Sequence, residues 1–331
     1  MNILITGGAG FLGVVLAQTL LERGEVAGHP ITRLTLLDRA TPPDFLLDDP
    51  RVHSITGDLV DLLQEGQAVP LESNLVFHLA AAVSADCEQD FELGMRSNLL
   101  ATQLLLEACR AQSRTASVPV RLVFASSVAV FGGALPDIVQ DDTLPQPQSS
   151  YGIQKFICEQ LVADYARKGF VDGRSVRLMT VSVRPGLPNG AASGFLSGIV
   201  REPLAGKRAV CPVSAATGVA LSTPRTTVAG LIKAGEASAE IWGSRSAMNL
   251  PALTVRIADM VAALGRIAGP GVASFIDWRP DPSIERIVGG WPSRIAATRA
   301  VAMGLHPDGS FEDVVQAYIQ STAGPNSLRM K

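Results

Sequence analysis

The chain has 331 residues, of which 47% are hydrophobic and only 5% aromatic, so aliphatic side chains must fill a large core. Its net charge of −3 provides no basic surface for nucleic acid or an anionic membrane. No apolar run reaches the length of a bilayer span, and the start of the chain lacks the pattern of a signal peptide, so we expect a cytoplasmic protein. The four cysteines are scattered without CxxC spacing, which favours buried free thiols over a metal site.

Short apolar runs alternate with helical patterns through the first half of the chain. Strands are predicted at about 2–6, 33–38, 51–56, 74–78, 120–126 and 176–184. Helices are predicted at about 11–23, 87–112 and 150–168. Because each helix must return to the sheet by a right-handed crossover, the strands run parallel. The prediction is an α/β fold with a Rossmann-type doubly wound parallel sheet.

The alternation ends near residue 185, where Gly and Pro become frequent. The proline-rich stretch 136–150 is predicted to be a loop leading into the helix at 150, and 253–267 again has helical periodicity. The expected organisation is a dinucleotide-binding domain at 1–185 with a returning segment at about 219–265, a smaller C-terminal substrate-binding lobe at 186–218 and 266–322, and a disordered tail at 323–331.

A glycine-rich loop joins the first strand to the first helix and contains Gly7, Gly10, Phe11, Leu12 and Gly13. Its first glycines permit a tight turn whose N–H groups can face a diphosphate, and Gly13 lets the helix pack closely on the strand. A purely structural turn is the alternative, but the strand–loop–helix context favours dinucleotide binding. Asp38 ends the second strand, where a carboxylate would bind the adenosine ribose. This indicates NAD, although Arg39 beside it could meet the 2′-phosphate of NADP.

Two further segments fit the same cofactor. Asp58 and Leu59 follow the third predicted strand, where a carboxylate could reach the adenine amino group. Ala80 and Ala81 follow the fourth, where small side chains would let a cofactor lie against the backbone. His78 ends that strand, and we expect a neutral packed histidine there rather than a catalytic base.

Tyr151 and Lys155 lie four residues apart at the start of a predicted helix, so their side chains share one face. An ammonium beside the phenol would stabilise the phenolate, which could then accept a proton from a substrate hydroxyl. YxxxK alone is common on helix surfaces. Its meaning comes from position, because Ser126 and Ser127 end the preceding strand, where a hydroxyl could bind the reacting oxygen.

These residues resemble the extended short-chain dehydrogenase/reductase family, which includes nucleotide-sugar epimerases and dehydratases. The matching motifs are GGAGFLG at 7–13, GDL at 57–59, HLAA at 78–81, SSVAVFG at 126–132, YGIQK at 151–155 and VRPG at 183–186. The resemblance implies that Ser127 is the catalytic hydroxyl with Ser126 next to it, that Asn98 lies near the cofactor, and that Pro185 flanks the nicotinamide. It also implies a homodimer formed through the helices at about 87–112 and 150–168.

Longer runs resemble the D-erythronate dehydrogenase group within this family, among them VRPGLPNGAASGFLSGIVREPLAG at 183–206, LSTPRTTV at 221–228 and RIVGGWP at 286–292. This narrower resemblance implies NAD-dependent oxidation of the C2 hydroxyl of a four-carbon sugar acid, D-erythronate, to its 2-keto acid. Dehydratases of the superfamily need an acid just after the catalytic hydroxyl, and Val128 and Ala129 occupy those positions. Elimination chemistry is therefore disfavoured.

A sugar-acid substrate needs a cation for its carboxylate. Arg201 and Arg225 are the candidates in the second lobe, and Ser84, Asn189 and Ser193 are polar candidates for its hydroxyls. Two alternatives remain open: a nucleotide-sugar 4-epimerase with tightly bound NAD, and a non-catalytic NAD-sensing protein. No metal is predicted.

Overall fold

A computed structural model describes residues 1–66, 72–116, 118–186 and 192–323. The strands are β1 Asn2–Thr6, β2 Glu25–Val26, β3 His29–Pro30, β4 Arg33–Asp38, β5 Val52–Thr56, β6 Leu75–His78, β7 Arg121–Ser127, β8 Asp172–Leu178, β9 Thr180–Val181, β10 Ala209–Cys211, β11 Gly218–Ser222, β12 Met248–Asn249, β13 Leu253–Arg256 and β14 Ile276–Trp278. The α-helices are α1 Phe11–Arg23, α2 Asp44–Leu47, α3 Leu59–Gln64, α4 Ser84–Gln89, α5 Phe91–Gly94, α6 Ala101–Ser113, α7 Ser150–Arg167, α8 Phe195–Leu204, α9 Pro224–Glu236, α10 Ala239–Trp242, α11 Ile257–Ala268, α12 Pro270–Ala273, α13 Pro282–Gly289, α14 Thr298–Ala302 and α15 Phe311–Ala323. A π-helix, Met95–Leu100, joins α5 to α6, and a 3₁₀ turn follows β7 at Val128–Val130.

The main sheet has seven strands in the order β12-β8-β7-β6-β1-β4-β5. The interior strand β1 pairs in parallel with β4 and β6, so that Ile3 lies opposite Leu34 on one side and Leu75 on the other. Because these strands are buried on both faces, they read as continuous aliphatic runs in the sequence. The predicted α/β doubly wound parallel sheet is confirmed.

The contacts of the chain divide it into two compact units. Unit 1 comprises Met1–Ser127, Ser150–Arg177 and Val228–Met248. Unit 2 comprises Val128–Ser149, Leu178–Thr227 and Asn249–Lys331. The returning segment of unit 1 is thus shorter than the predicted 219–265, because β11 pairs with β9 and β13 in a separate three-stranded sheet.

Each unit has its own apolar core. In unit 1, Leu105 of α6 and Cys158 of α7 pack with Val76 and Phe124 of the main sheet. In unit 2, α8, α11 and α15 bury a cluster that includes Ile199 and Met260. All four cysteines are buried and free, as predicted.

The strand predicted at 176–184 is wrong at both ends, since β8 spans Asp172–Leu178. β8 contains Arg174 and Arg177, charged residues that do not indicate a buried strand in sequence. Both are nevertheless buried, because Arg174 binds Asp172 and Arg177 binds Glu159. Tertiary ion pairs here override the apolar signal.

Two predicted helices are also corrected. The helix predicted at 87–112 is interrupted at Asp90, whose extended backbone ends α4 and whose carboxylate caps α5 at the N–H of Leu93. The helix predicted at 253–267 begins at Ile257, since the alternating Leu253–Arg256 forms β13 against β11.

The segment 136–149 contains no helix or strand, as predicted, and α7 begins at Ser150. The predicted disordered tail falls outside the described residues after Ala323. In the described ranges, no helix is long and apolar enough to cross a bilayer.

Arg174 offers a test of the core of unit 1, because its side chain is 0% exposed and fully bonded. It forms two hydrogen bonds with Asp172 and donates to the carbonyl oxygens of Ala234 and Ala237 at 2.6 Å. Arg174→Met should lower the free energy of unfolding by about 3–5 kcal/mol, since these acceptors lose a buried cation. Arg167→Met breaks an exposed pair with Asp164 and should cost less than about 1 kcal/mol. Urea unfolding of both variants checks this, and equal losses would contradict it.

Candidate functional site

The glycine loop lies between β1 and α1 and has no room for side chains at its key positions. Gly7 has a φ of +74°, and a Cβ there would lie 2.8 Å from the backbone nitrogen of Ala80. A Cβ on Gly13 would lie 2.1 Å from the carbonyl oxygen of Gly7. Helix α1 starts at Phe11 with Leu12 and Gly13 in its first turn, and Gly10 at its N-cap provides no side-chain acceptor. The N–H groups of Gly7 and Gly8 donate to the carbonyl of Leu37 and that of Gly10 donates to the carbonyl of Gly7, so an anion at this loop would meet the first turn of α1, at Phe11, Leu12 and Gly13.

Two acidic residues lie at or just beyond the carboxyl ends of β4 and β5, which are on the same side of β1 in the sheet. The Asp38 carboxylate accepts the N–H groups of Ala9 and Ala40, each at 3.1 Å, so it braces the glycine loop. Asp58 caps α3 at the N–H of Val60, at 2.9 Å, and is followed by the buried Leu59. Arg96 of the π-helix, which the sequence reading missed, donates to Asp58 at 3.2 Å.

Asn98 of the π-helix fixes the alanine segment after β6. Its side-chain oxygen accepts the N–H of Ala82 at 2.8 Å, and its amide nitrogen donates to the carbonyl of Ala82 at 3.3 Å and to Gln154 at 2.7 Å. By binding the backbone of Ala82, Asn98 also restrains Ala80 and Ala81, which directly precede it in the sequence. Gln154 is a further missed residue, and no motif signals it, because its role depends on the distance between two helices.

Tyr151 and Lys155 lie on α7, with the Lys155 nitrogen 5.7 Å from the centre of the Tyr151 ring. Lys155 is 3% exposed and donates to the carbonyl oxygen of Ala125 on β7 at 2.8 Å. Burial lowers the pKa of its ammonium to about 8. Lys155 therefore retains its charge at neutral pH and brings it beside the phenol.

The two serines at the end of β7 have different surroundings. Ser126 is buried and donates to Glu159 at 2.5 Å, while Arg177 forms two hydrogen bonds of 2.9 Å with the same carboxylate. Successive strand residues point to opposite faces, so Ser127 faces away from this ion pair. The placement makes Ser126 a residue that anchors β7 to α7 and favours Ser127 for substrate contact.

The predicted substrate residues fall in both units. Ser84 begins α4 in unit 1. In unit 2, Ser193 accepts from Arg184 at 3.0 Å, and Arg201 donates to the carbonyl of Arg184 at 2.9 Å and to Glu202 at 2.5 Å. Arg184, which precedes Pro185 and was missed from sequence, thus brings Ser193 and Arg201 together.

The other two substrate candidates are Arg225 and Asn189. Arg225 is exposed in the first turn of α9, and Asn189 lies outside the described residues. Within the described ranges, no group of three His, Cys, Asp or Glu side chains is placed to hold a metal ion.

His78 is a buried neutral histidine, as predicted. Burial, and next to it the charge of Lys155, lowers the pKa of its imidazole to about 3. Its ring nitrogens lie 2.7 Å from the hydroxyl of Thr6 and 2.9 Å from that of Thr102.

Comparison with known proteins gives consistent similarities. Residues 3–218 match the NAD dependent epimerase/dehydratase family. D-erythronate dehydrogenase of Cupriavidus necator is 52% identical over 97% of this chain and 98% of its own length, and that of Haemophilus influenzae is 44% identical over 97% and 99%. The crystal structure of the nucleoside-diphosphate-sugar epimerase from Agrobacterium tumefaciens is 38% identical, with a TM-score of 0.89 over 97% of this chain and 94% of that one.

The buried ammonium of Lys155 should cost stability that an apolar side chain would restore. Lys155→Met should raise the free energy of unfolding at neutral pH by on the order of 1–3 kcal/mol. The native ammonium loses its proton near pH 8, whereas the unfolded one keeps it to about 10.5, so wild-type stability rises through this interval and the difference should shrink there.

Urea unfolding at several pH values measures the effect. Lys168→Met, at an exposed position one residue beyond the end of α7, is the matched control and should show no such change. A Lys155→Met protein that is less stable than wild type at neutral pH would contradict the proposed cost.

Proposed function

Because this chain belongs to the NAD-dependent epimerase/dehydratase family, we propose that it oxidises the C2 hydroxyl of D-erythronate with NAD to give the 2-keto acid. The observation that carries the proposal is the similarity to two D-erythronate dehydrogenases over 97% of the chain, which extends well beyond the family match into unit 2. Substrate choice is encoded in such variable regions rather than in the shared dinucleotide motifs.

The cofactor would lie at the carboxyl edge of the main sheet in unit 1. The glycine loop (Gly7, Gly10, Phe11, Leu12 and Gly13) would bind the diphosphate at the N-terminus of α1, since its glycines permit the tight turn that leads into the helix. Asp38 would bind the adenosine ribose, and Asp58 and Leu59 the adenine. Ala80, Ala81 and Asn98 would form the surface beside it, and Pro185 would flank the nicotinamide. Bound NAD supplies the acceptor for the hydride that leaves C2.

The proton of the C2 hydroxyl would go to Tyr151. Lys155 stabilises the phenolate form, because its ammonium is buried nearby, where its field is weakly screened. Ser127 would donate to the reacting oxygen and hold it in line with Tyr151. The C–H bond electrons leave as hydride and the O–H proton leaves to the phenolate, which balances the oxidation to a ketone.

The substrate carboxylate would bind an arginine of unit 2. The charge of Arg201 is already paired with Glu202 and its side chain is 12% exposed, whereas Arg225 is exposed. Because Arg225 is exposed and Arg201 is already paired, Arg225 is the first candidate for the carboxylate, and Ser84, Asn189 and Ser193 are proposed for the hydroxyls.

The KM for D-erythronate should rise in Arg225→Gln and change less in Arg201→Gln. The reverse order would assign the role to Arg201.

We also propose that the protein is a cytoplasmic homodimer. Three apolar side chains on the helices through which the family resemblance implies dimerisation are exposed: Phe91 on α5 by 57%, and Ile153 and Ile157 on α7 by 46% and 38%. A second copy of this chain would cover these three side chains.

Sedimentation of Ile157→Glu beside wild type tests this interface, and we expect a lower mass for the variant. Identical masses for the two proteins would count against the interface.

The activity is tested by giving the purified protein NAD or NADP with D-erythronate, L-threonate and a UDP-sugar, and following the absorbance of reduced cofactor. We expect turnover with D-erythronate and NAD. Tyr151→Phe should reduce kcat by at least about 100-fold while the Kd for NAD stays near that of wild type. Tyr165→Phe, further along the same helix, is the matched control and should stay active.

Three results would overturn the proposal. Interconversion of a UDP-sugar without net reduction of the cofactor would indicate an epimerase. NAD binding without turnover of any substrate would favour the NAD-sensing alternative. Full activity of Tyr151→Phe would exclude Tyr151 as the base.

A further inference from the structure

A continuous chain of buried hydrogen bonds runs through His78 beneath the candidate cofactor site. The N–H of Ala80 lies 3.3 Å from the hydroxyl of Thr6, which lies 2.7 Å from Nδ1 of His78. On the other side, Nε2 of His78 lies 2.9 Å from the hydroxyl of Thr102, which lies 2.6 Å from the carbonyl oxygen of Asn98. Thr6, His78 and Thr102 are each no more than 1% exposed.

The chemistry of its ends fixes the direction of every bond in this chain. The carbonyl of Asn98 can only accept, so the hydroxyl of Thr102 donates to it and must accept from His78. Nε2 therefore carries the proton. Nδ1 of a neutral imidazole then accepts from Thr6, whose oxygen accepts the N–H of Ala80. All donors and acceptors in the chain are satisfied by one tautomer.

We propose that His78 is a positioning residue that, as the neutral Nε2–H tautomer, holds the turn after β6 and Asn98 in the arrangement that NAD binding requires. The inference rests on the proposed placement of the cofactor. His78 contacts no reacting atom in this account and transfers no proton.

The residues at the two ends of this hydrogen-bond chain explain why His78 would affect NAD binding. A Cβ on Gly7 would lie 2.8 Å from the nitrogen of Ala80, so the glycine loop packs directly on the turn that Thr6 holds. At the other end, Asn98 binds both backbone groups of Ala82. The chain through His78 thus fixes the start and the end of the alanine segment. Loss of one bond leaves a buried polar group unpaired and lets this surface move.

The first test is the tautomer itself. Nitrogen-15 NMR of histidine-labelled protein should show one imidazole protonated at Nε2 that does not titrate across the pH range of a free histidine. The other three histidines, His29, His53 and His306, are exposed and provide the reference signals. A buried imidazole protonated at Nδ1, or one that titrates across this pH range, would overturn the proposal.

The second test measures NAD affinity by calorimetry, without any sugar acid. Thr102→Val keeps the shape of the side chain and removes the hydroxyl, so the Kd for NAD should rise about tenfold and the imidazole signal should change. Thr102→Ser restores the hydroxyl and should bind NAD within about twofold of wild type. Thr35→Val, at a buried threonine of β4 outside the chain, is the control and should leave the Kd unchanged.

An unchanged Kd in Thr102→Val, or an equal loss in Thr35→Val, would contradict a positioning role. If Thr102→Val does not fold, the wild-type tautomer and the Thr102→Ser affinity still decide the matter. Because neither measurement uses D-erythronate, a wrong substrate assignment would leave both results unaffected.

Discussion

The site depends on one buried ammonium. The ammonium of Lys155, on α7, donates a hydrogen bond to the carbonyl oxygen of Ala125 on β7. This bond ties the helix that carries Tyr151 to the strand that carries Ser127. Burial makes that charge costly, and the pKa of about 8 reflects the cost. The same burial makes the charge effective, because little solvent screens its field at the phenol. In the proposed mechanism, stability is thus exchanged for a group that would stabilise the Tyr151 phenolate at neutral pH.

Buried polar groups also support the rest of the site. Glu159 joins Ser126 to Arg177, Asn98 joins Ala82 to Gln154, and His78 joins the ends of β1 and β6 to α6. These connections lie at, or in the turn just after, the carboxyl ends of β1, β6 and β7, where an α/β sheet places its ligand. An apolar core alone would not specify those positions, since hydrocarbon packing tolerates small shifts that a satisfied hydrogen-bond network does not.

The parts of this protein that follow from local sequence were predictable. β1 and β4 match their predicted bounds, and the glycine loop and the Tyr151–Lys155 pair are visible as spacing. Features set by distant partners were not. The start of β8 was missed because Arg174 is buried by its ion pair with Asp172, and the break at Asp90 depends on a single cap. Likewise, the bond that anchors Ser126 could not be predicted from local sequence, because its acceptor, Glu159, lies 33 residues away.

The claim that a hydride leaves C2 of a sugar acid is tested most directly with D-erythronate carrying deuterium at C2. Mass spectrometry of the cofactor after turnover should show one deuterium in each reduced nicotinamide and none from deuterated solvent. This result would tie the chemistry to the bond that Tyr151 and Ser127 are proposed to activate. Reduced cofactor without deuterium, or deuterium retained at C2 of the product, would contradict the account.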